Sequence, residues 1–319
     1  AILSTLPFNS HASDKQDPAS EDHAGTVIVT ATRSDNDIDQ VLATSTVIDR
    51  TEIEESQARD VADLLRSKAG IDIASNGGPG QTTSVFLRGA ESDHTLFMVD
   101  GIKINPATLG VASVQNIPVN MIERIEIIMG PRSTLYGSDA IGGVIQIFTR
   151  DGATSEAGWR FGSYDTHELS ASVHRRSGDM RFGLDISGTR SDGFPARAEG
   201  NEDSPYKNDS LNYKLRNSYG NTDLDLQYIG SRGRTDYYNF LLTPDAQHIK
   251  NSLDTLKAII TASDSWVSKL KFGYFEDDIQ QRESTDFLNT TRYEVDWQND
   301  VAVGSNHLLT AGIQAYREN

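Results

Sequence analysis

The chain of 319 residues contains no cysteine. That absence removes disulfide scaffolds, thiolate metal sites and cysteine nucleophiles together. Positive charge is scarce as well. Lys and Arg number 29 against 46 Asp and Glu, which leaves a formal net charge of -17. A duplex-binding protein needs a basic surface, so nucleic acid is not expected as a partner. Long apolar runs are missing: no stretch approaches the ~20 apolar residues of a spanning helix. A mean hydropathy of -0.46 still leaves one membrane architecture open. A transmembrane β-barrel alternates lipid-facing and lumen-facing residues, so its average stays low. Catalytic constellations are missing too. The seven histidines (His11, His23, His94, His167, His174, His248 and His307) are scattered and form no HExxH pair. There is no G-x-S-x-G elbow and no P-loop lysine after Gly77-Gly78-Pro79-Gly80. An enzyme is not expected.

What is present divides into four stretches. Residues 1–12 begin apolar (Ala1 to Phe8) and turn polar, with Ala12 near a possible cleavage site. They read as the tail of a secretory signal or as an unstructured N-terminus, and in both cases fall outside the fold. Residues 13–33 form a polar, acidic leader that carries one isolated β-prone run, Thr26-Val27-Ile28-Val29-Thr30-Ala31. Residues 34–150 read as a compact α+β unit. Its expected strands are Ser45 to Ile48, Ile71 to Ala74, Thr83 to Leu87, Thr95 to Val99, Ile125 to Met129 and Val144 to Thr149. Thr51 with Glu54 has capping-box spacing for a first helix. Asp60 can cap a second, Val61 to Lys68, with Gly70 beyond its end. Pro118 to Met121 and Arg132 to Tyr136 are single turns.

Residues 151–319 change texture. Phe182, Leu184 and Ile186 alternate with polar neighbours, as do Leu224, Leu226 and Tyr228, and Tyr293, Val295 and Trp297. Tight turns at 177–179, 220–222, 263–264 and 304–306 alternate with long polar stretches near 191–208, 233–251 and 278–290. Short turns on one side and long loops on the other are the pattern of an outer-membrane barrel. About nine strands fit here, whereas a barrel wide enough to hold a plug needs about 22. The expected fold class is therefore an α+β plug domain followed by antiparallel transmembrane β-barrel strands, an incomplete barrel belonging to a longer protein.

The motifs carry a resemblance. The runs are Thr26 to Ala31; Val85-Phe86-Leu87-Arg88-Gly89; Phe97-Met98-Val99-Asp100-Gly101; Ile122-Glu123-Arg124-Ile125-Glu126; and the long stretch from Gly130 to Ile145. On these the chain resembles the TonB-dependent outer-membrane receptors, densely over 26–150 and by texture beyond. Within that family it is most similar to the cobalamin (vitamin B12) receptors, on Thr26 to Arg33, Asn76 to Gln81 and Asp100 to Asn105.

The resemblance implies energy-dependent import of a bulky nutrient, a corrinoid, across the bacterial outer membrane. A ferric-siderophore or haem receptor is the alternative within the family. A passive porin is the alternative outside it, disfavoured because a porin needs neither plug nor box. The implied partners are a TonB-type inner-membrane energy transducer and outer-membrane lipid. Thr26, Val27, Ile28, Val29, Thr30 and Ala31 would be the energy-coupling box, a β-prone segment on a releasable tether suited to strand addition. Asn76, Gln81, Thr82, Asn105, Leu109 and Gly110, on two apical loops, would face the nutrient. Arg88, Glu123, Arg124, Glu126 and Arg132 would pair the plug with the lumen wall. No cofactor is implied apart from calcium. Asp209 and Asp236, with Asp192, Asp203 and Asp245, would supply oxygen ligands from two long loops. A solvated acidic loop is the other reading, and Lys207 sits where an acid would help.

Overall fold

A computed structural model describes residues 27–28, 36–37, 43–195, 203–238, 243–282, 287–304 and 307–319. The possible signal remnant lies outside the described residues, as do most of the leader, Thr26, Val29, Thr30 and Ala31. Near the start, β1 (Val27–Ile28) pairs antiparallel with β2 (Asn36–Asp37).

The α+β unit follows in the order β3 (Ser45–Ile48), α1 (Arg50–Ser56), α2 (Val61–Arg66), β4 (Ile71–Ser75), β5 (Thr83–Leu87), β6 (Thr95–Val99), β7 (Ile102–Lys103), β8 (Ile122–Met129), α3 (Ser133–Tyr136) and β9 (Gly143–Thr149). β4 and β5 make a separate antiparallel hairpin. The other five strands form one sheet in the order β3-β8-β9-β6-β7, in which only β6 and β9 run parallel. β6 is buried along its length and apolar from Leu96 to Val99, both of its faces being covered. Phe97 and Val99 join the cluster with Ile125, Ile127 and Leu65, while Leu96 and Met98 pack with Ala140 and Val144. The first helix starts earlier than its capping-box spacing predicts. Asp49 is the cap, its Oδ1 accepting from the Glu52 amide at 2.9 Å. Thr51 therefore lies inside the helix. Asp60 caps α2 as expected, accepting from the Asp63 amide.

The wall is a nine-stranded antiparallel sheet in chain order: β10 (Ser155–Gly162), β11 (Thr166–Ser177), β12 (Met180–Ser191), β13 (Tyr206–Tyr219), β14 (Thr222–Tyr238), β15 (Pro244–Ser263), β16 (Trp266–Gln281), β17 (Phe287–Val303) and β18 (His307–Glu318). The sheet does not close. Along β17, Tyr293, Val295 and Trp297 are exposed on the outer face, while Arg292, Glu294, Asp296 and Gln298 are buried on the inner face, where Arg292 reaches the α+β unit. That is the alternation of a barrel with lipid outside and a polar lumen. Among the described residues no helix is long and apolar enough to cross a membrane; the crossing elements are strands.

Two of the three long polar stretches shrink. Most of 233–251 and of 278–290 is strand, in β14 to β17, whereas in 191–208 only Ser191 and the residues from Tyr206 on are strand. Polarity marks where the strands leave hydrocarbon, and the ladder continues beyond that level.

Candidate functional site

The apical loop 76–82 closes the β4–β5 hairpin, with the Asn76 amide donating to Thr82 O at 3.1 Å. The wall clamps it. Gln81 Nε2 donates to Asp236 O at 2.8 Å, and Thr235 Oγ1 donates to Pro79 O at 3.3 Å. Gly80 has φ +75°, and a Cβ there would stand 2.1 Å from the Tyr206 ring, so glycine is required by both conformation and space. Asn76 stays exposed and Thr82 half-buried, but Gln81 is buried with its amide already engaged.

The second loop, 105–110, is tied down from within. Asn105 Oδ1 accepts from the Phe97 amide at 2.7 Å, and its Nδ2 donates to Thr95 O and Gly110 O. This corrects the expectation that Asn105 faces a nutrient: its amide shapes the loop from inside. Leu109 is exposed and Gly110 half-buried. The Thr108 amide reaches Thr290 Oγ1 on the wall at 3.4 Å. The exposed part of the predicted set is thus Asn76 and Leu109, flanked by Thr82 and Gly110.

The plug is held to the wall by a polar seam. The turn after β6 puts Asp100 at φ +46° and Gly101 at φ +84°. Gln227 Nε2 donates to Asp100 Oδ2 at 2.7 Å and to Thr149 Oγ1 at 2.9 Å, while Thr149 Oγ1 donates to Asp100 at 2.6 Å. Lys214 Nζ reaches Thr149 Oγ1 at 2.9 Å. The chain of contacts continues inside the wall through Asn212 and Asp185 to His174. Nearby, Lys271 donates to Gly101 O, and Arg292 donates to Lys103 O and Asn105 O at 2.8 and 2.7 Å.

The charges expected to do this behave differently. Arg88 bonds Thr44 Oγ1, Arg124 pairs with Glu126 at 3.0 Å and lies over the Phe148 ring, and Arg132 bonds Pro131 O. These arginines are spent inside the plug. At this seam the wall's Lys271 and Arg292 grip plug carbonyls, which leave no signature in a sequence, and the plug cations that do reach the wall are Arg50 and Arg150, both at Glu156 of β10.

Between α2 and β10 to β13 lies a cavity of about 270 Å³, lined by Asp60, Gln115, Asn116, Arg160, Glu168 and Asn208. Burial, reinforced by Asp63, pushes the Asp60 carboxyl up to about 6.

The five aspartates considered for calcium do not gather. Asp209 and Asp236 lie on β13 and β14, not in loops. Each makes paired hydrogen bonds with an arginine, Asp209 with Arg190 and Asp236 with Arg234. Asp245 is buried, accepting from Tyr237 Oη and the Ala246 amide. Asp192 and Asp203 are exposed. Among the described residues, the one set of three acidic or histidine ligand atoms within 4.8 Å is Glu91, Asp93 and His94, elsewhere in the plug. The five as placed do not fit one ion, which needs six to eight oxygens around it.

Residues 37–144 match the model of the TonB-dependent receptor plug domain. The chain is 33% identical over 310 residues to the vitamin B12 transporter BtuB of Photobacterium profundum, covering 94% of this chain and 51% of that protein. The chain belongs to the TonB-dependent outer-membrane receptors. It spans about half the length of that curated relative. In fold it is similar to Pseudomonas aeruginosa FpvA bound to a heterologous pyoverdine, with TM-score 0.76 at 15% identity over 92% of this chain and 44% of that one. It is equally similar to BauA, the ferric preacinetobactin receptor of Acinetobacter baumannii, with TM-score 0.76 at 15% identity over 92% and 49%. At such identity the likeness concerns the fold. For a TonB-dependent receptor, the α+β unit is the plug and the nine strands are wall.

Proposed function

We propose that this chain is the plug and adjoining wall of a receptor that imports cobalamin across the outer membrane. The observation that carries the reading is the 33% identity to a vitamin B12 transporter, which runs through plug and wall alike. The apex is consistent in chemistry. Loops 76–82 and 105–110 contain no charged residue. Their exposed or half-buried groups include the Asn76 amide, the Thr82 and Thr108 hydroxyls and the Leu109 side chain. Neutral donors and acceptors beside an apolar side chain suit the amides and ring of a corrinoid. A highly charged iron chelate would call for Arg and Lys. In a competition assay, the full-length receptor should bind cyanocobalamin and leave a ferric catecholate unbound. The opposite preference would make it a siderophore receptor.

Import needs a source of work, and Thr26 to Ala31 is the segment that would receive it. Extended backbone on the periplasmic side can add to a sheet edge of a TonB-type transducer. Val29→Pro fixes φ and deletes an amide donor. Uptake should then fail while surface binding of cyanocobalamin persists. Joint loss of both would remove the box from the coupling role.

A further inference from the structure

Across five adjacent wall strands, one row on the inner face carries a side-chain oxygen at every position. Ser210 on β13 is opposite Ser231 on β14, Ser231 is opposite Asn251 on β15, Asn251 is opposite Asp277 on β16, and Asp277 is opposite Thr290 on β17. Residues two apart on a strand share a face. Above and below the middle of this row the wall is apolar. Ile249 and Leu253 flank Asn251, and Phe275 and Ile279 flank Asp277, all four of them buried. The Asp277 carboxylate thus lies in an apolar surround and is 1% exposed. Side chains opposite each other on neighbouring strands stand about 5 Å apart at Cβ. The Asn251 amide and the Thr290 hydroxyl are therefore on either side of the carboxylate.

Among the described residues, Asp277 forms no salt bridge. The charges around it are turned away or engaged. Lys250 pairs with Glu276 at 2.7 Å on the outer face, and Asp278, also outward, accepts from Gln280. Arg292, one row below on β17, donates to Lys103 O, Asn105 O and Glu318. Asp277 Oδ1 accepts from Asn251 Nδ2. Asp277 Oδ2 and Asn251 Oδ1 are buried acceptors with no hydrogen-bond partner. An unpaired charge held out of water is strongly destabilising, so this carboxylate calls for a positive partner. We infer that Asp277, Asn251 and Thr290 hold a monovalent metal cation. Carboxylate, amide and hydroxyl oxygens are hard ligands. One carboxylate balances one positive charge, whereas a divalent ion would leave an excess charge in the apolar surround. A proton on Oδ2 serves Asn251 alone, but a cation also takes up the Thr290 oxygen. That oxygen has a lone pair to give. Thr290 Oγ1 accepts from the Thr108 amide at 3.4 Å and donates to Thr108 Oγ1 at 3.3 Å, which leaves one of its two lone pairs free. The same contacts tie the site to the plug, because a cation that fixes Thr290 fixes loop 105–110.

The test uses the full-length receptor in lipid vesicles, with a chelator to remove divalent ions, in sodium chloride or in choline chloride at equal ionic strength. Hydrogen exchange of the Thr108 amide is the readout. With sodium at about ten times its dissociation constant, protection should be about tenfold higher than in choline. Asp277→Asn keeps the shape of the side chain and should exchange alike in the two salts. Asp278→Asn, on the outer face, should keep the sodium dependence. Thallium(I), an anomalous scatterer that replaces alkali ions, should give a peak between Asp277 and Asn251 in crystals of the parent and none in Asp277→Asn. Equal exchange of the parent in the two salts overturns the inference. So does a dependence that returns only with calcium, or one that Asp278→Asn removes as fully as Asp277→Asn.

Discussion

In the plug, Ile125, Ile127 and Ile147 are fully buried and form the middle of an apolar core, whereas on β17 the apolar Tyr293, Val295 and Trp297 face outward and Arg292, Glu294 and Asp296 face inward. The two regions are built for different surroundings. The plug excludes water from its own centre. The wall meets hydrocarbon outside and presents polar groups inside. Where they touch, the contact is mostly hydrogen-bonded, with Ile229, Leu253 and Phe275 of the wall as apolar exceptions that join the plug core. A polar seam has a physical consequence. A bond of this kind is worth about 1.5–3 kcal/mol net where a charged group such as Asp100 or Arg292 takes part and about 0.5–1.5 kcal/mol otherwise, because water can replace either partner. A plug held this way is firmly seated yet removable, which an apolar interface of equal area would not be.

The comparison can be broken most severely from within the plug. Gly143 opens β9 at φ +152°, and a Cβ there would stand 2.2 Å from Ile128 O and 2.8 Å from Leu87 Cδ1. Neither the backbone of β8 nor the buried Leu87 can move aside. Gly143→Ala should cost about 3 kcal/mol or more in plug stability. Gly152→Ala, with nothing within 4 Å, should be near neutral. Hydrogen exchange of β8 and β9 amides in the full-length receptor would separate the two variants. Equal protection in both would mean that the sheet tolerates the extra atom.

The next largest effect lies on the wall's outer face. Val295→Lys places a charge in the lipid-facing band and should cost about 2–4 kcal/mol in barrel stability. Ile127→Val, a single methylene lost in the plug, should cost about 1 kcal/mol and leave insertion untouched. Reversible unfolding in lipid vesicles measures both. If Val295→Lys were neutral, the outer face of β17 would not be a lipid face.

The seam itself is sharpened by Gln227→Leu. The substitution keeps the side chain's bulk but leaves Asp100 and Thr149 without their shared donor. About 1–3 kcal/mol of seam stability should go. Faster exchange should appear at residues 100–103 while the plug core keeps its protection. Uniform loosening of the whole plug would assign Gln227 to general stability rather than to the seam.

The order of elements was legible because periodicity carried it. The limits of β5 and β6 agree with their apolar runs, and the nine wall strands follow from alternation and turn residues. Strand lengths were not legible. Asp209 and Asp236 look like loop acids in a sequence, yet they extend the ladder above the apolar level and pair with Arg190 and Arg234. The apical loops could be located by their glycines, but Asn105 turns inward and Gln81 is buried against Asp236, and which way an amide points depends on partners distant in the chain. The seam was hidden for the same reason. Its acceptors include the carbonyls of Gly101, Lys103 and Asn105, which any residue could supply.

The smallest effect tests the edge where plug and wall leave a gap. Asp60 caps α2 and borders the cavity beside Arg160 and Glu168. Its carboxyl is raised from 3.8 to about 6, first by burial and then by Asp63. The folded plug therefore binds more protons than the unfolded chain between about pH 4 and pH 6. Stability from this group is fully present below pH 4 and is lost as pH rises through about 6. Asp60→Asn keeps an oxygen to accept from the Asp63 amide, and Asn caps helices as well as Asp does. It removes only the charge. The variant should stabilise the plug by about 1 kcal/mol at pH 7 and leave it unchanged at pH 4. Thermal unfolding of the full-length receptor at the two pH values decides the matter. A lower midpoint for Asp60→Asn at pH 7 would mean that Arg59 and the helix dipole outweigh burial, and that the ionised carboxylate is a favourable part of this edge.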